Sequence, residues 1–270
     1  MKYYINNSLA NNGIKPKLSE GIELIEAVGL DYKKFLDGLK PEDEVVFIGG
    51  DGTISHLANE CRNYEFKNNI YLKANGTGND FMNDIEAPLD KEVLLNDYLK
   101  NLPIVKVNGI ERPFINNMGL GIDGYCCEEA DRIKAKTPNK KINYTAIAIK
   151  GLLFKFKPCH VEVTIDGETH EYDNVWLTPT MKGRFYGGGM MVAPGQDRHS
   201  DKLTVVVYSC KSKFKSLITF PLIFSGEHVK KTDVVHIFEG KKVHVKFSRP
   251  CAAQIDGDTV LNVEEYWAEL

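Results

Sequence analysis

Over the first hundred residues the apolar positions gather in short runs, Tyr3 to Ile5, Val45 to Ile48 and Ile70 to Ala74. Between them lie stretches such as 54–62, where apolar residues recur at helical spacing. Strand alternating with helix predicts a parallel sheet with crossover helices. Beyond Pro103 the pattern changes to many β-branched runs. These are Ile104 to Val107, Phe114 to Asn117, Val161 to Ile165, Asn174 to Thr178, Leu203 to Tyr208, Val234 to Phe238, Val243 to Phe247 and Ala253 to Ile255. They predict a largely antiparallel second half, with helices over about 122–136, 141–154 and 213–224. The expected organisation is an α/β domain over 1–103 and a β-rich domain over 104–270, whose last residues pack back on the first. A cleft between the two is the expected site.

Composition narrows this picture. Hydrophobic residues make up 43% of the 270 and charged residues 26%, a balance that supports a packed core and argues against disorder. A net charge of -3 gives no overall cationic field to gather nucleic acid, so an anionic ligand must be held locally. The longest apolar run, Leu217 to Phe224, is short and interrupted by Pro221, so no membrane-spanning helix is expected. Met1 to Ile5 has no basic stretch followed by a long apolar core and reads as a first strand rather than a signal peptide. Six scattered cysteines without a Cys-x-x-Cys pair predict reduced thiols in a cytoplasmic protein. Cys126 and Cys127 have no nearby histidine and are given no function.

Two turns carry the chemistry. The strand ending at Ile48 runs into Gly49-Gly50-Asp51-Gly52-Thr53 and then a helix. Glycines there allow close backbone approach, so successive N–H groups at a helix N-terminus can face phosphate oxygens. Asp51 is unexpected in a simple anion site, because a carboxylate repels phosphate unless a metal ion or a transferable proton intervenes. That combination points to phosphoryl transfer. A second strand, Ile70 to Ala74, runs into Asn75-Gly76-Thr77-Gly78-Asn79-Asp80-Phe81. In a parallel sheet both turns lie at the carboxyl ends of their strands and converge on one crevice.

With these turns go Asn117-Met118-Gly119-Leu120-Gly121-Ile122-Asp123, Gly187 to Pro194, Asp201-Lys202-Leu203, Gly226-Glu227-His228 and Asp256-Gly257-Asp258. In this order they resemble the diacylglycerol kinase catalytic domain family, which includes bacterial lipid kinases and sphingosine kinases. The resemblance spans about residues 44–258. It implies a parallel α/β nucleotide-binding domain, a β-sandwich-like C-terminal domain, an active site in the cleft between them, and ATP with Mg2+ as phosphoryl donor. It places Gly49, Gly50, Asp51, Gly52, Thr53, Thr77, Asn79 and Asp80 at the nucleotide, with Asn6 and Ser8 on the first strand's exit. Asp256 matches the proposed proton acceptor, and Asp51 is a second candidate for the same role. Metal binding is implied around Arg198, Asp201 and Leu203, with one carboxylate and flanking carbonyls, and Asp123 is a lesser metal candidate. The family opens on Asn-Pro-x-Ser-Gly, where this chain reads Asn6-Asn7-Ser8-Leu9-Ala10, and Asp258 stands where a glutamate is usual.

Two look-alikes are read as structural. Gly119, Gly121 and Gly124 match a dinucleotide fingerprint by letters, but a basic helical stretch follows where an acidic strand end is required. Asp166-Gly167-Glu168 mimics Asp256-Gly257-Asp258 and reads as a hairpin turn. From Arg132 to Lys157 there are eight basic residues and no acidic one, and Lys211, Lys213 and Lys215 precede the apolar run at Leu217. Such surfaces rest on anionic headgroups or are solvated helix faces. The expected function is therefore an ATP-dependent lipid kinase acting on a diacylglycerol-like hydroxyl. It would be cytoplasmic and peripheral at the inner membrane surface, with a homodimer allowed and no nucleic-acid partner. The alternatives are a NAD kinase-like enzyme and a nucleotide- or lipid-binding protein without turnover.

Overall fold

The apolar start of the chain forms strand β1 (Lys2–Asn6), followed by β2 (Leu24–Glu26), helix α1 (Tyr32–Asp37), β3 (Glu44–Gly49), α2 (Asp51–Glu60), β4 (Asn69–Ala74), α3 (Asp80–Asp84) and β5 (Glu92–Leu94). The structure, a computed structural model, describes residues 1–8, 16, 21–76, 78–137 and 142–270. It divides into two units, Met1–Leu102 and Pro103–Leu270. In the first, the strands lie in the order β2-β1-β3-β4-β5. β1, β2, β3 and β4 are mutually parallel, and β5 closes the edge antiparallel to β4. Val45 to Gly49 are all buried, as a central parallel strand covered on both faces requires. The register sets Asn6 beside Ile48 and Gly49 beside Ala74, so the exits of β1, β3 and β4 share one edge of the sheet.

The second unit contains β6 (Ile104–Val107), β7 (Ile110–Pro113), β8 (Asn117–Gly121), α4 (Ile122–Lys136), α5 (Tyr144–Lys150), β9 (Cys159–Ile165), β10 (Glu168–Met181), the small hairpin β11 (Phe185–Tyr186) and β12 (Met190–Met191), β13 (Leu203–Ser209), α6 (Lys213–Thr219), β14 (Val235–Gly240), β15 (Lys242–Ile255) and β16 (Asp258–Glu269). Eight strands of its nine-stranded sheet run β14-β13-β10-β8-β15-β16-β6-β7, and the ninth, β9, pairs with β10 and β15 off that path. The two long strands β10 and β15 each pair first with β9 and then with β8, shifting register between Tyr172 and Val175 and between Lys246 and Cys251. The bulges bend both strands, so that one sheet wraps a core that includes Phe114, Val163, Val205, Phe247 and Tyr266. A second cluster, with Trp176 and Phe220, holds α4, α5 and α6 against the opposite face.

Most expected runs are strands, with two corrections. Phe114 to Asn116 is a buried bend rather than a strand, because its N–H groups are claimed by a side chain described below. β16 was not expected: its buried residues Val260, Val263, Tyr266 and Ala268 are too irregularly spaced to alternate cleanly. Among the described residues no helix is long and apolar enough to cross a membrane. All six cysteines are free.

Candidate functional site

In the first unit the two glycine turns meet. A Cβ built on Gly50 would lie 2.9 Å from Gly76 Cα, and one built on Gly76 would lie 2.7 Å from Gly50 Cα. Only glycines allow this approach. Asn75 N–H donates to Gly49 O at 2.7 Å, fixing the exits of β3 and β4 together. Asp51 completes the junction: its Oδ2 accepts from Asp80 N–H at 2.9 Å and its Oδ1 from Phe81 N–H at 2.7 Å. The carboxylate thus caps the first turn of α3 from the first turn of α2. Thr53 is buried beneath Gly49, where a Cβ would come within 1.9 Å of Thr53 Oγ1.

This edge suits a phosphate-bearing ligand. α2 begins at Gly50 without a side-chain cap, and a Cβ on Gly52 would meet nothing within 4 Å. Among the described residues the space over Gly52, beside the positive end of the helix dipole, is therefore open. Asn6, at the exit of β1, carries a buried Oδ1 with no hydrogen-bond partner among the described residues, a group that a ligand can satisfy. Ser8 is exposed, with its N–H donating to Glu26. Asn79 takes the left-handed conformation (φ 49°) and donates from Nδ2 to Gly76 O, and Asp80 is buried at the start of α3. Thr77 lies outside the described residues.

In the second unit Asp256 sits in the turn between β15 and β16 at φ 49°. Its Oδ2 accepts from Ile115 N–H at 2.8 Å, and its Oδ1 from Asn116 N–H at 2.8 Å and Asn117 N–H at 3.1 Å. The bend before β8 is wrapped around this carboxylate. Arg198, itself buried, fastens the same bend from the other side, donating to Ile115 O at 2.6 Å and Asn116 Oδ1 at 2.7 Å. Asp166 has the same architecture in its hairpin: φ 49°, with the carboxylate accepting from Lys241 and Lys242 N–H. Asp258 is exposed and pairs with Arg112.

The segment 196–203 is also tied down. Lys182, 7% exposed, donates from Nζ to Ser200 O at 2.9 Å, and Gln196 Nε2 donates to the carbonyls of Asp197 and Lys202. Burial and the neighbouring Arg198 push the Lys182 ammonium below its usual range. Asp201 is largely exposed and forms an ion pair with Lys241 at 2.5 Å, which holds its carboxyl below the ordinary range. Leu203 begins β13 opposite Gly240. A hard cation at this segment would have to displace the Lys241 ammonium from the Asp201 carboxylate and the Lys182 ammonium from the Ser200 carbonyl. Among the described residues no three His, Cys, Asp or Glu side chains gather in a metal-holding group.

Asp123 lies in the first turn of α4 and is buried. Burial pushes it up to about 6, against the N–H of Gly124 and the Gln254 amide, which favour the charged form. Its Oδ2 and Gln254 Nε2 lie over Gly119, where a Cβ would come within 1.7 Å and 3.1 Å of them. Among the described residues neither atom has a well-formed hydrogen bond, and neither does the buried Asn117 Nδ2. Gln254 also accepts from Gly257 N–H, joining this cluster to the Asp256 turn. Gly121 (φ 123°) and Gly124, whose Cβ would strike Ala252 O at 2.0 Å, serve packing. Lys182, Gln254 and the Arg198 side chain are the participants that sequence reasoning missed. The one available signal was a lysine closing the wholly buried run Val175 to Met181.

Comparison with known proteins decides the family. Residues 21–105 match the diacylglycerol kinase catalytic domain, and residues 116–265 match the YegS C-terminal NAD kinase beta sandwich-like domain. The chain belongs to the diacylglycerol kinase catalytic domain family. Among its relatives, a diacylglycerol kinase of Mycobacterium tuberculosis is 26% identical over 250 residues, covering 88% of this chain and 79% of that protein. A diacylglycerol kinase of Bacillus subtilis is 21% identical, covering 82% and 72%. The crystal structure of a diacylglycerol kinase from Bacillus anthracis superposes with a TM-score of 0.65 at 20% identity, covering 99% of this chain and 93% of that one, and shows the shared fold.

Proposed function

We propose that this member of the family transfers the γ-phosphoryl group of ATP to the hydroxyl of a membrane lipid, with diacylglycerol as acceptor and phosphatidic acid as product. The observation that carries the reading is the junction of Gly50 with Gly76, clamped by Asp51 beside the uncapped start of α2. When bound, ATP supplies the electrophilic phosphorus, with Mg2+ as the counter-ion of its phosphates. The lipid oxygen forms the new P–O bond, the bond to ADP breaks, and the hydroxyl proton passes to a carboxylate oxygen of Asp256. The protein's part is largely positional. Asp51 holds the two turns in register, and the N–H groups of Ile115, Asn116 and Asn117 hold the Asp256 carboxylate in one orientation. Asp51 is the alternative base; both of its oxygens serve the start of α3, as both of those of Asp256 serve the bend before β8, so Asp256 is preferred for the position it matches in the family.

ATP consumption measured against diacylglycerol, a sphingoid base, NAD and no acceptor tests the proposal. Turnover stimulated by diacylglycerol supports it. Stimulation by NAD alone would move the chain to nicotinamide-nucleotide phosphorylation, and ATP binding without turnover on any acceptor would make it a binding protein.

A further inference from the structure

The outer faces of α5, α6 and the turns that follow them carry the most exposed aromatic side chains of the second unit. α5 continues as a π-helical turn, Gly151–Lys155, and α6 as a 3-10 turn, Phe220–Phe224. Their inner residues Ile147, Leu152, Phe220 and Ile223 are buried in one cluster. Their outer residues are not: Phe154 is 75% exposed, Phe214 73% and Ile218 59%. The two elements are neighbours, because Lys213 Nζ donates to Leu153 O at 2.9 Å. Two phenylalanines therefore project from one tip, with Ile218 on the following turn of α6.

The surroundings of this tip are cationic. Residues 142–157 and 211–226 contain Lys150, Lys155, Lys157, Lys211, Lys213 and Lys215 and no acidic residue. The residues that follow Phe154 in the chain, Lys155, Phe156 and Lys157, line a cavity of about 450 Å³ together with Arg249 and Cys251. Arg249 lies over the Phe156 ring at 5.2 Å, which fixes its guanidinium at the cavity wall. Acidic groups beside these residues include Glu128, which lines the cavity, Glu129, paired with Arg132, and Asp233, paired with Lys215. Six lysines over the two segments with no acidic residue in either make the patch positive on a chain whose net charge is -3.

We propose that this tip is the membrane-docking surface: Phe154, Phe214 and Ile218 enter the headgroup–acyl boundary of an anionic bilayer, and the surrounding lysines and the Arg249 cavity seat lipid phosphates. Apolar insertion flanked by basic residues is the arrangement an anionic interface binds. A second copy of the chain fits less well, because an isologous contact would bring the same lysines face to face. The inference rests on the lipid-kinase reading for its purpose, but its test does not.

Sedimentation of the full chain with phosphatidylcholine vesicles, with and without phosphatidylserine, reads the proposal. The parent should bind the anionic vesicles and lose binding as salt rises. Phe154→Ser/Phe214→Ser should weaken binding at least about tenfold, since each buried phenylalanine contributes favourably to transfer. Both side chains are mainly exposed, so melting temperatures should match the parent's. Lys155→Glu/Lys157→Glu, a second variant independent of the apolar tip, should lose about fivefold or more per lysine on anionic vesicles. All variants should phosphorylate a dispersed short-chain diacylglycerol at the parental rate. Equal parental binding to neutral and anionic vesicles at every salt concentration would overturn the proposal. So would unchanged binding by either variant, or a change in mass by light scattering showing that the phenylalanines join two copies. A parent that docks on vesicles but phosphorylates no lipid would refute the kinase reading and leave the surface intact.

Discussion

Asp256 and Asp166 occupy turns of the same geometry, and replacing each by asparagine separates a structural carboxylate from a catalytic one. Asparagine tolerates the left-handed conformation at φ 49° that both positions adopt, so the turn itself is not the perturbation. The loss is one acceptor oxygen. At Asp256 the carboxylate serves three N–H groups, of Ile115, Asn116 and Asn117, all within residues that are 3% exposed or less. An amide keeps one oxygen, so at least one of these donors would face an NH2 group with little access to water. Losing a charge-assisted bond and stranding its partner costs about 1–3 kcal/mol. For a chain of this size that lowers the melting temperature by roughly 2–4 °C per kcal/mol, or about 2–12 °C. At Asp166 the donors are the N–H groups of Lys241 and Lys242, both exposed, and water replaces the lost oxygen, so the melt should stay near the parent's. Catalytically the gap should be wider. At a temperature well below both melts, Asp256→Asn should lose about 10² to 10⁴ in turnover, with ATP affinity unchanged by calorimetry, and Asp166→Asn should keep parental turnover. Full turnover by folded Asp256→Asn would refute the proton-acceptor role and leave Asp256 as the organiser of the bend before β8. Equal melts for the two variants would refute the packing argument.

Gly50→Ala should both destabilise the first unit and weaken ATP binding, because its Cβ would press on Gly76 Cα at 2.9 Å, whereas Gly52→Ala, with open space around it, should keep the parental melt and weaken ATP alone in calorimetry. Asp123 is raised to about 6 in the fold, so its protonation contributes stability that is complete below about pH 4 and lost as pH rises through 6. Asp123→Asn should therefore gain stability relative to the parent between pH 4 and 6, by on the order of 1–3 kcal/mol at neutral pH; a difference that does not change with pH would refute the burial argument. Asp201→Ala should leave the Mg2+ dependence of turnover unaltered, since Lys241 already pairs with that carboxylate; a magnesium titration shifted to higher concentration would show that the segment 196–203 does take a metal.

The first unit was legible because its signals are local. Val45 to Ile48 is a continuous apolar run that is wholly buried, as a central parallel strand demands, and Ile70 to Ala74 is a mainly apolar run with Ile70 and Leu72 buried; each leads into a glycine-rich turn. The second unit was legible in kind but not in register. β10 and β15 each change partners halfway along, so one 14-residue strand reads as two short apolar runs separated by polar residues. Phe114 to Asn117 reads as a strand because its residues are apolar or buried. Its backbone is instead bent around Asp256, nearly 140 positions away, and no local pattern encodes that partner. The site divides in the same way. Gly50, Asp51 and Gly76 were visible as glycine-rich turns, but the role of Asp51 as a cap for α3 depends on the pairing of β3 with β4. Lys182 and Gln254 act through contacts across the sheet and carry no motif.

The central claim is tested most directly by following the label from [γ-32P]ATP in mixed micelles containing diacylglycerol and resolving the lipid products. The account predicts radioactive phosphatidic acid that requires both ATP and diacylglycerol and is absent with Asp256→Asn. Label released only as inorganic phosphate, or carried to NAD and not to lipid, would contradict it.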